Sequence, residues 1–249
     1  MVRYMNHINN DEWAIIIPAR YESSRFPGKP LALIHNKPMI IRVWERCLES
    51  FASINVYVAT DDKRIADCCE EYGVNFIMTS SDCLTGTDRV YQAAKKLKLK
   101  YIINVQGDEP MVRASDIELV LVELLKQEFS VINAMAVINS EEEFNSVSVP
   151  KVVSTPTNLL MYMSRAAIPS NKKQVLVSAY KQVCIYGFHI NALDDFSKVK
   201  SKTKLESIED IEILRFLEIG YKVKMVEVDG GTIAVDYPED LARVESIIK

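Results

Sequence analysis

The stretch AIIIPARYESSRFPGKPL, residues 14–31, joins a run of β-forming residues to a loop that carries three cations. The apolar run ends at Pro18, and Pro27, Gly28 and Pro30 prevent the loop from continuing as a helix. The three cations are Arg20, Arg25 and Lys29. Cations on an irregular loop can surround an anion, and three of them suit a polyphosphate. The stretch therefore predicts a strand followed by either an anion-binding loop or a solvated basic loop.

Beyond this stretch, short β-branched runs alternate with segments whose apolar residues recur at helical spacing. Such alternation is typical of βαβ units and predicts an α/β fold with a mostly parallel sheet. The predicted strands are WAIIIP (13–18), INVYVAT (54–60), VNFIM (74–78), YIINVQ (101–106), VINAMAV (131–137), YKVKMVEV (221–228) and TIAVD (232–236). Helices are predicted from about Pro38, over 60–73, from about Thr87, over 115–126 and over 237–249.

The helix predicted over residues 60–73 has an apolar spacing that assigns its buried side. That spacing predicts Ile65, Cys68 and Tyr72 as buried, and Gly73 as a left-handed ending. The cysteine pair on this helix is therefore expected to serve packing.

Length, charge and cysteine content limit the class of protein. A chain of 249 residues suits one domain over residues 1–249. The formal net charge of -4 provides no general attraction for nucleic acid, and no apolar window is long enough for membrane insertion, so we expect neither partner. Five cysteines without regular spacing, and an N-terminal stretch MVRYMNHINNDE without the apolar run of a signal peptide, indicate a cytoplasmic protein with reduced thiols.

Two aspartates follow predicted strands. QGDEP (106–110) places Asp108 after YIINV, and Asp236 comes after TIAV. Ligands of open parallel sheets bind beyond the carboxyl ends of the strands, so both carboxylates and the basic loop are expected at one edge. Mg²⁺ prefers few carboxylates together with water and phosphate oxygens. Asp108 and Asp236 are therefore candidate Mg²⁺ ligands, although an isolated aspartate at such a position is more commonly a helix cap or turn residue.

The stretch PARYESSRFPGKPL resembles the N-terminal signature of sugar nucleotidyltransferases, most closely the cytidylyltransferases that activate 3-deoxy-manno-octulosonate (Kdo), the CMP-Kdo synthetases. The resemblance continues in the family's order through KPMI, VYVATDD, TGTDR, NVQGDEP, SRAAIP, IYGF and VDYPEDL. It implies a Rossmann-like nucleotidyltransferase fold with helices on both faces of a twisted sheet. It also implies a homodimer, with a β-rich dimerisation and sugar-binding subregion at about residues 131–188.

The same resemblance implies a reaction: transfer of CMP from CTP to the anomeric hydroxyl of a 3-deoxy sugar acid, with Mg²⁺ as cofactor and pyrophosphate as the second product. The implied catalytic residues are Arg20, Lys29 and Asp108, and the metal ligands are Asp108 and Asp236. The implied CTP-binding residues are Ala19, Arg20, Arg25, Lys29, Ser80, Gly86, Thr87 and Arg89. The implied sugar-binding residues are Gln106, Arg165, Gln182, Tyr186 and Glu212.

Considered without the resemblance, several of these residues have ordinary structural explanations. The segment TSSDCLTGTDR (79–89) could equally be a loop that caps the helix beginning near Thr87. Arg165 and Glu212 could be charges on helix faces, and Tyr186 could be a plain strand residue.

The chain departs from the family's usual pattern at three positions. Gln182 and Cys83 stand where a His is usual, and Ile213 stands where a Gln is usual. Because a site built to bind a hydroxyl discriminates against analogues that lack it, these changes predict altered sugar recognition. The 8-amino-3,8-dideoxy analogue of Kdo is the alternative acceptor, since an ammonium group favours neutral or acidic neighbours over imidazoles.

Two alternatives come from other functional classes. A non-catalytic nucleotide-binding module would bind CTP without releasing pyrophosphate. A dinucleotide oxidoreductase would carry G-x-G-x-x-G, which this sequence lacks, and a Walker P-loop would carry GK[ST] where this chain has GKP. The sequence thus favours a nucleotidyltransferase over both.

Overall fold

The computed structural model describes residues 9, 11–22, 26–231 and 233–248. Its strands are β1 Trp13–Ala19, β2 Leu33–Ile34, β3 Lys37–Pro38, β4 Val56–Thr60, β5 Phe76–Met78, β6 Tyr101–Val105, β7 Val131–Val137, β8 Lys151–Ser154, β9 Leu160–Ser164, β10 Tyr180–His189 and β11 Lys224–Glu227. Its α-helices are α1 Met39–Leu48, α2 Lys63–Glu71, α3 Gly86–Leu97, α4 Ala114–Leu125, α5 Glu141–Asn145, α6 Ile190–Lys198, α7 Lys204–Glu209, α8 Ile213–Glu218 and α9 Pro238–Glu245. Short 3-10 turns cover Lys29–Leu31 and Ser53–Asn55.

The central sheet has the strand order β11-β7-β10-β6-β1-β4-β5. The pairs β6-β1, β1-β4, β4-β5 and β11-β7 are parallel, whereas β10 runs antiparallel to both β6 and β7. Strand β8 joins the first residues of β10, and β9 pairs with β8. The prediction of a mostly parallel sheet with a small β-rich addition is confirmed.

Helices cover both faces of the sheet because its strands alternate two sets of apolar side chains. Ile15 and Ile17 of β1 pack on one side with residues of α1, α2 and α4. Ala14 and Ile16 pack on the other side with residues of α3, α6 and α8. Burial on both faces explains why β1 has a nearly continuous apolar sequence without polar alternation.

The predicted strand TIAVD is wrong. Thr232 lies outside the described residues, and residues 233–236 are irregular. Val235 is fully buried, but its N–H donates to the carbonyl of Asp108 (2.9 Å) and its own carbonyl accepts from Lys29. These partners replace a neighbouring strand, so the apolar run reflects packing beneath an extended loop. Asp236 therefore follows a loop segment, not a strand.

The predicted buried side of α2 is partly wrong. Ile65 and Cys69 are fully buried, whereas Cys68 is half-buried and Tyr72 is 38% exposed. The helix ends at Glu71, so Tyr72 no longer follows the helical stripe. Gly73 adopts the predicted left-handed conformation, with φ of +66°.

Strands β8, β9 and β10 were not predicted individually. β10 mixes polar and apolar side chains, and its first three residues are half-buried whereas residues 185–188 are buried. All five cysteines lie in the described residues and are unpaired. Within the ranges that the structure covers, no helix combines the length and the apolar character needed to cross a membrane.

Candidate active site

A cleft opens where the chain leaves the carboxyl ends of β1 and β6. We call it the first cleft. It is lined by Pro18, Ala19, Arg20, Lys29, Pro30, Met39, Cys83, Thr85, Gly86, Arg89, Gln106, Gly107, Asp108 and Glu212. The structure thus brings together eight of the predicted site residues, namely Ala19, Arg20, Lys29, Gly86, Arg89, Gln106, Asp108 and Glu212.

Lys29 connects three distant parts of the chain inside the first cleft. Its Nζ donates to Asp108 Oδ2 at 2.7 Å and to the carbonyl oxygen of Val235 at 2.9 Å. Gly28, with φ of +72°, begins the 3-10 turn that carries the lysine. A Cβ on Gly28 would lie 3.1 Å from the Tyr21 ring, so the glycine permits both the turn and this close approach.

Gly107 fixes the position of the neighbouring Asp108. A Cβ at Gly107 would lie 2.8 Å from the backbone carbonyl oxygen of Pro18, a distance that real Cβ atoms do not show. Only glycine therefore lets the loop after β6 pass so close to the end of β1. The glycine of QGDEP is therefore required for steric reasons.

The N-terminus of α3 forms another wall of the first cleft. Asp88 Oδ2 accepts from Thr85 N at 3.1 Å and from Thr85 Oγ1 at 2.8 Å, and Asp88 N donates back to Thr85 Oγ1 at 3.3 Å. This capping box confirms the capping interpretation of TGTDR. Arg89, only 4% exposed, donates from Nη2 to Asp61 Oδ2 at 2.8 Å and from Nη1 to Thr79 Oγ1 at 2.5 Å.

Glu212 also belongs to this wall, although it precedes α8. Its carboxylate accepts from Gly86 N at 3.2 Å, from Thr87 N at 2.9 Å and from Thr87 Oγ1 at 2.6 Å. Thr87 is buried and its hydroxyl points to Glu212. The predicted CTP-binding Thr87 and the predicted sugar-binding Glu212 are thus bound to each other.

A second cleft adjoins the first. It is lined by Glu109, Ser140, Glu142, Glu143, Ser146, Ser148, Val149, Pro150, Lys181, Gln182, Val183, Cys184, Ile233, Ala234, Asp236, Tyr237, Asp240 and Arg243. Residues 106–108 line the first cleft and Glu109 lines the second, so the loop after β6 borders both clefts. Five carboxylates and two cations line the second cleft, and one of the cations, Lys181, is paired with Glu143.

Asp236 lies in the second cleft, whereas Asp108 lies in the first, and the preceding Val235 binds Asp108 and Lys29 through its backbone. Asp240 Oδ2 accepts from the N–H groups of Asp236 and Tyr237, at 2.9 and 2.8 Å, which fixes the backbone there. Burial raises the pKa of the Cys184 thiol, and the nearby charges of Glu109, Asp108 and Asp236 raise it further. The two aspartates therefore act on the same thiol from the two clefts.

Asp108 and Asp236 suit Mg²⁺ better than a metal that needs an all-protein cage. Among the residues that the structure describes, no group of three or more His, Cys, Asp or Glu side chains is placed to hold a metal ion. Mg²⁺ commonly uses one or two carboxylates and takes its other ligands from water and substrate phosphates. Two carboxylates on either side of the loop at Glu109 fit that preference.

Gln182 lies in the second cleft, and its Nε2 donates to Asn133 Oδ1 at 3.0 Å. Tyr186 is 8% exposed. Burial raises the pKa of its phenol, and the neighbouring Cys184 raises that pKa further. Ile213 is 1% exposed within an apolar cluster. Ile213 therefore packs in the core and lines neither cleft.

Four predicted site residues that the structure describes are not part of either lining, and one of them is Thr87, which binds Glu212. Arg165 donates to three carbonyl oxygens, those of Glu209 (2.6 Å), Val147 (2.9 Å) and Asp210 (3.1 Å). Ser80 is tied locally, with its N–H on Gln92 Oε1 at 2.8 Å. Tyr186 is buried below the clefts. Arg25 lies outside the described residues.

The sequence interpretation missed Thr85, Glu109 and Asp240. Thr85 and Asp88 have the Thr-x-x-acid spacing of a capping box, which could have indicated the first of them. Glu109 precedes a proline, where turn carboxylates are common, yet it is 6% exposed and lines the second cleft. Asp240 lies in the first turn of α9, where an acidic residue commonly caps the preceding backbone.

Comparison with known proteins extends these observations. Residues 14–225 match the family model described as Cytidylyltransferase. The 3-deoxy-manno-octulosonate cytidylyltransferase 2 of Hydrogenovibrio crunogenus is 39% identical over 241 residues, which cover 94% of this chain and 97% of that relative. The 8-amino-3,8-dideoxy-manno-octulosonate cytidylyltransferase of Shewanella baltica is 39% identical over 236 residues, which cover 93% and 96%.

Among solved structures, CMP:2-keto-3-deoxy-manno-octonic acid synthetase complexed with CTP superposes with a TM-score of 0.86 at 36% identity, covering 95% of this chain and 98% of that chain. This likeness confirms the nucleotidyltransferase fold that the sequence motifs implied. Since the family model matches most of the chain and these relatives align over nearly their whole length, the chain belongs to the cytidylyltransferase family of nucleotidyltransferases.

Proposed function

We propose that the protein transfers CMP from CTP to the anomeric hydroxyl of a 3-deoxy sugar acid, Kdo or its 8-amino analogue, and releases pyrophosphate. The observation that carries this proposal is the meeting of Arg20, Lys29 and Asp108 in one cleft beyond β1 and β6. The names of the relatives from Hydrogenovibrio and Shewanella support the two acceptors.

In this proposal the cations of the first loop bind the triphosphate. Lys29 and Arg25 neutralise the phosphates that leave as pyrophosphate, and Arg20 lies near the α-phosphate or the sugar carboxylate. Lys29 is suited to this role because Asp108 and the Val235 carbonyl already fix its ammonium group. A prepositioned charge requires little reorganisation when the bond between the α-phosphorus and the bridging oxygen breaks.

The cytidine portion would lie against the wall formed by Ser80, Gly86, Thr87 and Arg89. Asp108 and Asp236 would hold Mg²⁺, which when bound would neutralise phosphate charge and polarise the α-phosphate. The sugar hydroxyl attacks the α-phosphorus on the side away from the leaving pyrophosphate. The bond between the α-phosphorus and the bridging oxygen breaks, that oxygen leaves with pyrophosphate, and the proton of the hydroxyl is released to solvent. Ala19 provides backbone contact at the end of β1.

The acceptor would bind where the two clefts meet. Gln106 lines the first cleft and Gln182 lines the second, so a sugar acid between them could contact both. Tyr186, Arg165 and Glu212 complete the proposed sugar-binding set. Arg165 would act through the loop at Val147, whose carbonyl it holds.

The charge of the second cleft favours the 8-amino acceptor. Its lining carries five carboxylates, Glu109, Glu142, Glu143, Asp236 and Asp240, against the cations Lys181 and Arg243. The ammonium group of an 8-amino sugar would be attracted there, whereas the neutral terminal hydroxyl of Kdo would gain nothing from the charge. Identity does not separate the two acceptors, because relatives of both kinds are 39% identical to the chain.

The proposal predicts pyrophosphate release when the purified protein is given CTP, Mg²⁺ and a 3-deoxy sugar acid. Separate reactions contain Kdo, 8-amino-3,8-dideoxy-manno-octulosonate or no acceptor, and phosphate is counted after pyrophosphatase treatment. We expect turnover with at least one acid and more with the amino sugar. CTP binding by calorimetry without pyrophosphate from either acid would identify a non-catalytic module instead.

Glu142→Gln is expected to lower kcat/KM for the amino sugar by about twofold to fivefold, because one partly exposed charge pair contributes little. Turnover of Kdo should stay unchanged. Glu71→Gln is the matched control, since Glu71 is an exposed residue of α2 and lines neither cleft. An equal effect of Glu142→Gln on both sugars would show that the acidic lining does not recognise the ammonium group.

The homodimer implied by the resemblance, and the cytoplasmic location expected from the cysteines and the N-terminal stretch, belong to the same proposal. Several large apolar side chains are exposed within about residues 131–188: Val137, Val147, Met161, Val175 and Val177. Covering them with a second copy of the chain would remove apolar surface from water.

A further inference from the structure

Glu212 caps a helix that lies far from it in sequence. Gly86 N and Thr87 N belong to the first turn of α3, where N–H groups have no acceptor within the helix. Glu212 supplies that acceptor through both carboxylate oxygens, Oε1 to Gly86 and Oε2 to Thr87. Because 126 residues separate Glu212 from Gly86, this contact ties two separate segments at the first cleft.

Arg215, one turn further along α8, faces the same helix end. It is fully buried, and its Nε and Nη2 donate to Glu206 at 2.7 and 2.5 Å. Its third nitrogen, Nη1, has no hydrogen-bond partner among the described residues and lies 3.6 Å from Asp88 Oδ1. Asp88 uses its other oxygen to hold Thr85.

These contacts have a common result. Thr85 and Gly86 both line the first cleft. Asp88, which faces Arg215, binds Thr85, and Glu212 binds Gly86. Buried ion pairs contribute little net stability, because the desolvation of both charges offsets their attraction. Stability alone is therefore a weak reason for burying Arg215, whereas fixing the geometry of a ligand-binding wall is a sufficient one.

We infer that Glu212 and Arg215 are positioning residues that hold segment 85–89 in the geometry that binds the nucleotide. Arg215 acts through Asp88, and Glu212 acts directly on the helix end. The inference rests on the proposed function only in taking CTP as the ligand of the first cleft. It differs from the role that the family resemblance implies for Glu212, which is contact with the sugar.

The two roles of Glu212 predict different measurements. A positioning residue affects CTP binding in the absence of sugar, whereas a sugar contact affects only the KM of the sugar. Glu212→Gln keeps the shape of the side chain but removes the charge and one acceptor oxygen, so one of the α3 N–H groups loses its partner. We expect the Kd of CTP without sugar to rise about tenfold.

Glu141→Gln is the matched control. The Glu141 carboxylate also binds a backbone N–H from a distant part of the chain, accepting from Leu176 N at 2.7 Å. Glu141 lines neither cleft. This variant should leave the Kd of CTP within about twofold of the unaltered protein.

Asp88→Asn tests the Arg215 contact without disturbing the buried Arg215–Glu206 pair. The asparagine oxygen can still accept from Thr85, but the charge that faces Arg215 is lost. We expect the Kd of CTP to rise about threefold, less than for Glu212→Gln, since the capping bonds remain.

Amide hydrogen exchange provides a readout that is independent of CTP. Exchange at Gly86 and Thr87 should accelerate in Glu212→Gln and remain unchanged in Glu141→Gln. An unchanged Kd of CTP with a raised sugar KM would overturn the inference, as would equal weakening of CTP binding by both variants. If the unaltered protein binds no CTP, the proposed function fails, while the exchange rates still decide whether Glu212 fixes the helix end.

Discussion

Asp108→Asn is expected to abolish CMP-sugar formation while leaving the fold intact. The asparagine oxygen can still accept the Lys29 Nζ bond, which measures 2.7 Å to Asp108 Oδ2. The charge that would hold Mg²⁺ near the α-phosphate is lost. Removing one contact that stabilises the transition state typically costs about a hundredfold in rate, and loss of the metal would exceed that.

The measurement is pyrophosphate release at saturating CTP and acceptor, together with a thermal melt of each variant. Asp67→Asn is the control, because Asp67 makes an exposed pair with Lys63 at 2.6 Å on α2 and lines neither cleft. That variant should retain full activity. A well-folded Asp108→Asn protein with more than about a tenth of normal turnover would contradict the metal assignment.

Gly230→Ala has the largest expected effect on stability. Gly230 has φ of +62°, and an added Cβ would lie 2.3 Å from Ala136 Cβ on β7 and 3.0 Å from Val183 Cγ2 on β10. Left-handed strain and overpacking together should lower the free energy of unfolding by about 3 to 5 kcal/mol. Because the chain runs on from Gly230 to Val235 and Asp236, activity should fall as well.

Gly73→Ala separates the two causes. Gly73 also has positive φ, +66°, but nothing lies within 4 Å of the position where its Cβ would be. We expect this variant to lose only about 1 to 2 kcal/mol, the cost of the left-handed backbone, and to keep its activity. Urea unfolding of both variants measures the difference, and equal losses would refute the packing argument.

The sequence predicted the central strands well because burial on both faces gives them a distinctive composition. β1, β6 and β7 are apolar along most of their length, and polar residues begin where each strand reaches the sheet edge. TIAVD has the same composition, but its described residues form a loop. The hydrogen bonds of the Val235 backbone go to Asp108 and Lys29 instead of a neighbouring strand. An apolar composition indicates that a segment is buried, but it does not indicate which groups form hydrogen bonds with its backbone.

The candidate site was predictable to the extent that it lies at strand ends. Arg20, Lys29 and Asp108 were placed together correctly because parallel strands end at one edge of the sheet. The division into two clefts was not predicted, because it depends on how the loop at Glu109 passes between them. The capping of α3 by Glu212 was not predictable either, since backbone N–H groups leave no mark in the sequence.

The two long-range contacts of Lys29 have a consequence for how the protein is made. The lysine reaches one partner 79 residues later and another 206 residues later. Almost the whole chain must therefore be synthesised before the Lys29 ammonium group can bind its second acceptor. Chains interrupted before Val235 would carry the N-terminal signature without the carbonyl that binds Lys29.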